Sequence, residues 1–321
     1  MNEQEYLLGI DVGSTTVKVA ILDKVGAILY SEYRRHFAHI QETLAEVLRQ
    51  ASEKLGSVSV LPAITGSGGM SLAQAMKIPF VQEVIAVSES LDRRYPQTDV
   101  AIELGGEDAK ILYLTGGRDQ RMNGICAGGT GSFIDQMASL LGTDAAGLNE
   151  YARNYKQIYP IAARCGVFAK SDLQPLINEG AAKEDLAVSI FQAVVNQTIS
   201  GLAQGRPIRG NVAFLGGPLH FMPELRKAFV RTLKLTPEHT IVPENSHLFA
   251  AMGCVQYADA NLPEQMTAYP LEQLSEMLEQ GIHLEAEIKR LPPLFQSEEE
   301  YAEFVERHAY YKIKRADLAT A

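Results

Sequence analysis

Two short segments carry the residue types that could hold a polyphosphate. They are DVGSTT, residues 11–16, and ELGGED, residues 103–108. Each ends an apolar run, places a carboxylate before a turn of small residues, and returns into a second apolar run that contains a lysine. Turns of Gly, Ser and Thr expose backbone N–H groups, and glycine lets that backbone come close to an anion. Two such turns facing each other would clamp a polyphosphate, with Gly13, Ser14, Thr15 and Thr16 on one side and Gly105 and Gly106 on the other. Asp11 and Glu103 would hold a hydrated Mg²⁺ through its waters, and Lys18 or Lys110 would offset phosphate charge. The bland alternative is two ordinary hairpins with carboxylates at their turns.

The two segments align without a gap. Asp11 falls on Glu103, Gly13 on Gly105, Ser14 on Gly106, Thr16 on Asp108 and Lys18 on Lys110. Five chemically similar positions at one offset read as an internal repeat, and so as two related halves. A third glycine loop, Gly216-Gly217 in NVAFLGGPLHF, follows another apolar run. The sequence has no G-x-x-x-x-G-K-[ST] and no clean G-x-G-x-x-G, so neither a P-loop nor a dinucleotide fingerprint is supported.

The chain is poor in cysteine, with Cys126, Cys165 and Cys254 alone. Three are too few and too scattered for a disulfide framework. Cys126 in NGICAGGTGSF and Cys165 in AARCGVFAKSD each precede an expected helix start, where free N–H groups favour a thiolate. Spacing alone leaves them open as metal ligands or as buried residues at helix starts. Cys254 lies in the apolar, small-residue run HLFAAMGCVQYA and reads as a core residue.

The elements that must position these residues follow from periodicity. YLLGIDVGSTTVKVAILD reads as a hairpin, AILYSEYRRH as a third strand, and IQETLAEVLRQASEKLG as an amphipathic helix closed by Gly56. PAITGSGG is a short strand ending in a glycine loop. Residues 131–205 are mostly helical, PELRKAFVRTL is a helix, and residues 247–258 form a buried helix. After residue 260 charge and proline increase, and residues 260–321 read as a polar helical extension or linker. The expected organisation is a first half at 1–98, completed by the helix near 247–258, and a second half at 99–246.

Composition sets the outer bounds. The 321 residues are 46% hydrophobic and 21% charged, ordinary for a globular protein with ample core material. No window approaches 18 uninterrupted apolar residues, so no membrane span is expected. The acidic start MNEQEYLLGID has neither a basic n-region nor a cleavage site, which makes the cytoplasm the expected compartment. A formal net charge of −10 argues against nucleic acid as a partner.

Two related halves with acidic-residue hairpins and a later LGG loop resemble the actin, sugar-kinase and heat-shock-chaperone ATPase superfold. That resemblance implies an α/β protein of duplicated actin-like halves with ATP in the cleft. Within it, NGICAGGTGSFID and AARCGVFAKSD resemble the activator ATPases of 2-hydroxyacyl-CoA dehydratases, also called archerases, over about residues 5–260. The resemblance implies ATP or ADP with Mg²⁺ and one [4Fe–4S] cluster shared across a homodimer. Cys126 and Cys165 stand at the ligand positions, two from each subunit. It also implies reduced ferredoxin or flavodoxin as electron donor, and as acceptor a dehydratase-type or double-cubane iron–sulfur protein. By the same resemblance Asp11 and Glu103 organise Mg²⁺, and Lys18 and Asp108 join the phosphate site. Glu107 or Asp108 orients the attacking water, and Gly216 and Gly217 flank adenosine. Gly128, Gly129 and Thr130 link the ATP site to the cluster.

The match has departures. Many family members carry DIGGQD where this chain has ELGGED, so Glu103 and Glu107 replace aspartate and glutamine. Lys170 stands where a glutamate is common, and LGGPLHF replaces a form with GGVA. These features resemble a branch of long proteins with two activase modules in tandem, in which the present tail would be a connector. Two rival functions remain at this stage: a sugar or small-metabolite kinase of the same superfold, which has no use for the two cysteines, and a non-catalytic nucleotide sensor.

Overall fold

The structure is a computed structural model and describes residues 5–123, 128–162, 165–282 and 291–313. The first half contains β1 (Glu5–Val12), β2 (Thr16–Leu22), β3 (Ile28–Arg35), α1 (Ile40–Leu55), β4 (Ser59–Thr65), α2 (Gly69–Met76) and α3 (Glu83–Arg94). The second begins with β5 (Val100–Leu104), β6 (Ala109–Tyr113) and β7 (Asp119–Met122). Helices α4 (Gly131–Leu140), α5 (Ala145–Tyr151), α6 (Gly166–Asn178) and α7 (Lys183–Thr198) follow. Then come β8 (Val212–Leu215), α8 (Gly217–Phe221), α9 (Pro223–Leu233) and β9 (Thr240–Ile241). The chain continues through α10 (Phe249–Asn261), β10 (Tyr269–Pro270), α11 (Leu271–Glu279) and α12 (Glu298–Ala309).

The expected repeat is present in the topology. One sheet has the order β10-β4-β1-β2-β3 and the other β7-β6-β5-β8-β9. In each, the opening strand pairs antiparallel with the next and parallel with a later one: β1 with β2 and β4, β5 with β6 and β8. The register repeats as well, with Asp11 opposite Lys18 and Glu103 opposite Lys110.

Strand alternation then decides which residues meet. Leu8, Ile10 and Val12 face a core shared with α1 and α11, while Val100, Ile102 and Leu104 face the helices of the second half. The opposite faces, with Leu7, Ala63, Ala101 and Ala213, enclose a common middle layer made by α3 and α10. Small residues let that layer close tightly. A Cβ on Gly9 would lie 1.8 Å from Ala251 O, and one on Gly253 would lie 1.8 Å from Ala86 O. Asp11, Lys18, Thr65, Glu103 and Lys110 fall on the same inward faces, at the strand ends where the middle layer opens.

Cys254 is fully buried in α10, with Sγ 3.3 Å from Ala63 O, and burial pushes its thiol well up. Lys183–Ala203 is the one described helical segment long and apolar enough to cross a membrane; 67% of its apolar window is buried inside the fold.

The extension expected from residue 260 starts later. Tyr269–Pro270 pairs with β4, α11 packs against α1, and Leu271, Leu274 and Leu278 join the first half's core. A two-residue strand and a polar-faced helix look like linker in a sequence because only their buried stripe is apolar. The first compact unit runs to residue 284 and a second begins at 285. In the second, α12 opens on Ser297, whose hydroxyl accepts from Glu300 N–H, and has no buried residue.

Candidate functional site

The two small-residue turns have the same construction. Gly13 N–H donates to Thr16 O at 2.9 Å, and Gly105 N–H donates to Asp108 O at 2.7 Å. They lie against each other, since a Cβ on Gly106 would meet Thr15 Oγ1 at 2.2 Å. Beside them is a cavity of about 320 Å³, lined by Thr15, Tyr33, Gly106, Ser132, Gly217, Pro218 and Phe221 among others. A larger groove of about 690 Å³ between α1, α2 and the end of α11 contains none of the expected site residues.

Behind the turns sits a largely buried charge cluster, in which Asp11, Glu103 and Lys110 are buried and Lys18 and Glu83 partly so. Lys18 Nζ is 2.7 Å from Asp11 Oδ2, and Lys110 Nζ is 2.7 Å from Glu83 Oε1 but 3.9 Å from Glu103 Oε2. Burial raises the Asp11 carboxyl despite Lys18, and pushes Glu103 up to about 7 against the pull of Lys110. Burial also opposes charge on both lysines, but Asp11 on one side and Glu103 with Glu83 on the other hold the ammoniums above their usual range. For Glu83 burial works upward, and Lys110 and Lys18 outweigh it, so its carboxyl is held below the usual value. Three carboxylates against two ammoniums leave a formal excess of one negative charge.

Among the described residues, Asp11 Oδ1, Thr65 Oγ1 and Glu103 Oε2 are buried without a hydrogen-bond partner. Such atoms cost about 1–3 kcal/mol each when left unsatisfied. Orphaned oxygens in a negatively charged cluster behind the two turns fit a hydrated Mg²⁺.

Several of these neighbours come from elements without a chemical motif. Thr65 ends β4 directly opposite Asp11. His36 is buried and braces the first turn: its backbone N–H donates to Thr15 O at 3.2 Å, and Nε2 lies 3.1 Å from Gly13 O. Because Nδ1 accepts from Ala38 N–H at 3.0 Å, Nε2 carries the proton in the neutral ring. Glu83 opens α3. A carboxylate in the first turn of a helix suits the helix dipole, the one sequence signal that marks it.

The third loop closes the other end of the cavity. Gly216 has φ 87°, and a Cβ there would lie 2.1 Å from Leu104 O, so glycine is required. Gly217 lies under Tyr33, whose hydroxyl would be 2.3 Å from an added Cβ. Tyr33, His220, Phe221 and His247 form an aromatic group at the rim, with Tyr33 and Phe221 centroids 5.1 Å apart. Burial, then His220 and Lys18, lower His247 to about 4. Arg35 and Asp135, at 2.7 Å, join β3 to α4 across this cavity.

The remaining expected residues are dispersed. Glu107 is exposed, with its carbonyl accepting from Asn123 Nδ2 at 2.9 Å, and Asp108 is half-buried. Lys110 is almost fully buried in its ion pairs, which holds its ammonium behind the turn. Gly128, Gly129 and Thr130 are buried, and Gly129 faces Gln197 of α7 rather than the turns. The link to the second turn comes from the residues just after them. Gly131 N–H donates to Gly105 O at 3.0 Å and Ser132 N–H to Gly106 O at 2.8 Å, so the first amides of α4 are tied to that turn.

Cys126 lies outside the described residues. Cys165 caps the N-terminus of α6 and is half-buried, with Val167 and Phe168 exposed beside it at 70% and 64%. No group of three or more His, Cys, Asp or Glu suited to a metal ion occurs among the described residues. A half-buried thiol at a helix start within an exposed apolar rim fits a single thiolate ligand of an iron–sulfur cluster.

Comparison with known proteins identifies the family and the fold. The BadF/BadG/BcrA/BcrD ATPase family model matches residues 8–243. The chain is 30% identical over 262 residues to the 2-hydroxyisocaproyl-CoA dehydratase activator of Clostridioides difficile, covering 79% of this chain and 94% of that protein. The crystal structure of the Acidaminococcus fermentans (R)-2-hydroxyglutaryl-CoA dehydratase component A superposes with a TM-score of 0.68 at 26% identity, covering 78% of this chain and 96% of that one. The activator of the 2-hydroxyisocaproyl-CoA dehydratase from Clostridium difficile with bound ADPNP gives 0.65 at 25% identity, covering 89% and 99%. The duplicated actin-like α/β fold that the resemblance implied is the fold of this protein.

Proposed function

We infer the function from one premise: this chain belongs to the BadF/BadG/BcrA/BcrD ATPase family, and it is an ATPase. We propose that it is an ATP-dependent activator that couples ATP hydrolysis to low-potential electron transfer into a dehydratase-type or double-cubane iron–sulfur protein in the cytoplasm. Its similarity to dehydratase activators supports the partner class.

The single observation that carries the coupling is the attachment of α4 to the second turn through Gly131 and Ser132. In this reading Gly13, Ser14, Thr15, Thr16, Gly105 and Gly106 surround the phosphates, with Lys18 balancing their charge. Asp11 and Glu103 hold the waters of Mg²⁺, and Glu107 or Asp108 orients the attacking water. Gly216 and Gly217, with Tyr33 and Phe221, receive adenosine. A change at the γ-phosphate then displaces Gly105 and Gly106, and with them the start of α4. Nucleotide states drive such a shift only if they favour the two arrangements of the halves differently.

Cys126 and Cys165 would each supply a thiolate from two subunits to one [4Fe–4S] cluster. When bound, that cluster supplies a one-electron carrier, reduced by a ferredoxin or flavodoxin. A sugar or small-metabolite kinase is not favoured, because the sequence relatives of stated function are dehydratase activators.

The test is electron delivery. Anaerobically purified protein, reduced ferredoxin and a dehydratase-type iron–sulfur protein are mixed with and without Mg·ATP. Reduction of the acceptor that requires ATP is expected. ATP hydrolysis without any reduction, or transfer of phosphate to a sugar, overturns the proposal.

A further inference from the structure

The two halves repeat the same cross-strand carboxylate–lysine pair, yet the two pairs differ in closure. In the first half Lys18 sits 2.7 Å from Asp11. In the second, Lys110 is the direct cross-strand partner of Glu103 but stands 3.9 Å from it. The ammonium instead reaches 2.7 Å to Glu83, which belongs to the first half and starts α3. No residue of the second half plays this part for Lys18 among the described contacts.

We infer that Glu83 is a positioning residue of the ATPase site, which holds Lys110 away from Glu103 so that one Glu103 oxygen stays free for water. This rests on the site reading above. Several observations support it. Glu103 Oε2 accepts no hydrogen bond although it is buried and a lysine is its cross-strand neighbour. An ammonium lowers its energy by approaching a carboxylate in a poorly solvated site, so an open pair at this position needs a competitor, and Glu83 is that competitor. The first turn of α3 favours a carboxylate at residue 83. Helix α3 is fixed in the middle layer, where Gly253 lies against Ala86 and Ser90 Oγ donates to Phe249 O at 2.7 Å. The pair Glu83–Lys110 therefore bridges the two halves from a rigid support. It keeps Glu103 Oε2 able to accept a hydrogen bond from the attacking water or from a water of Mg²⁺, whereas Lys18 occupies Oδ2 of Asp11 and leaves only Oδ1 open there.

The test compares steady-state ATP hydrolysis with ADP binding by calorimetry in the full chain. Glu83→Gln removes the competing charge, and Lys110 then closes on Glu103. The expected result is a fall in kcat of about 10-fold or more with the ADP dissociation constant within about 3-fold of the original. Glu83→Asp keeps the charge and recovers part of kcat. The double variant Glu83→Gln/Lys110→Met removes the ammonium as well and exceeds Glu83→Gln alone in kcat. A merely structural Glu83 would give the opposite result, since the double variant would be no better than the single one. Wild-type kcat in Glu83→Gln, or no gain in the double variant, overturns the inference. If Glu83→Gln does not fold, a Glu83→Asp protein that binds ADP normally yet hydrolyses no faster than Glu103→Gln overturns it too. Glu103→Gln separates the two layers. Full activity there contradicts the site reading itself, whereas an inactive Glu103→Gln beside a fully active Glu83→Gln contradicts this inference alone.

Discussion

Thr15 of the first turn rests directly on Gly106 of the second, where an added Cβ would lie 2.2 Å from Thr15 Oγ1 and 2.9 Å from its Cγ2. The spacing of the two turns is thereby set by one short β-branched side chain and one missing side chain. Any bulk at residue 106 moves the turns apart, and the N–H groups that would converge on phosphate move with them.

Gly106→Ala therefore weakens nucleotide binding far more than it weakens the fold. ADP affinity falls by about 10-fold, equivalent to about 1.4 kcal/mol, while the thermal midpoint moves by only a few degrees. Calorimetric titration beside thermal unfolding checks both. Unchanged affinity would mean that the two turns do not share a ligand.

The buried and exposed ion pairs separate in stability. Asp11→Asn leaves the largely buried Lys18 without its carboxylate and costs about 3 kcal/mol. Arg35→Ala breaks a half-exposed pair with Asp135 and costs under about 1 kcal/mol. Urea unfolding of both variants measures the difference. Equal costs would show that the Asp11–Lys18 pair is more solvated than its burial implies.

Acid stability carries a histidine signature. Burial, with help from His220 and Lys18, holds His247 at about 4, below the ordinary 6.5. A lowered histidine contributes its full stability above the unfolded value and loses it as pH falls from about 6.5 towards 4. His247→Phe removes this loss. Relative to wild type the variant gains stability on the order of 1 kcal/mol across that window, discounted because the ring is only half-buried. A pH-independent difference between the two urea midpoints would contradict the assignment.

Phe221 is 53% exposed at the cavity rim and makes an edge contact with Tyr33. Phe221→Ser lowers affinity for ADP by about 5-fold through loss of aromatic contact, and leaves the unfolding midpoint nearly unchanged. Equal loss for ADP and inorganic pyrophosphate would place Phe221 away from the base.

Much of this arrangement could be read from the sequence because it is local. The offset that carries Asp11 onto Glu103 and Lys18 onto Lys110 survives in the register, since a glycine turn between alternating strands fixes which residues face each other. Thr65, His36 and Glu83 could not be read in the same way. They reach the cluster from the end of β4, from the link before α1 and from the start of α3, and only the closure of the middle layer brings them together. Residues 263–282 were hidden for a related reason. Three leucines in α11 complete the first core, but polar residues surround them in sequence. Lys110 shows the limit of motif reasoning, because its spacing pairs it with Glu103 while the fold supplies it with a nearer carboxylate.

The most direct test of the activator reading is the iron and acid-labile sulfide content of strictly anaerobic protein, with mass by light scattering on the same sample. One cluster shared by a dimer predicts about two iron and two sulfide per chain, lost together in Cys165→Ser. An iron-free monomer that stays unchanged after anaerobic reconstitution would contradict it.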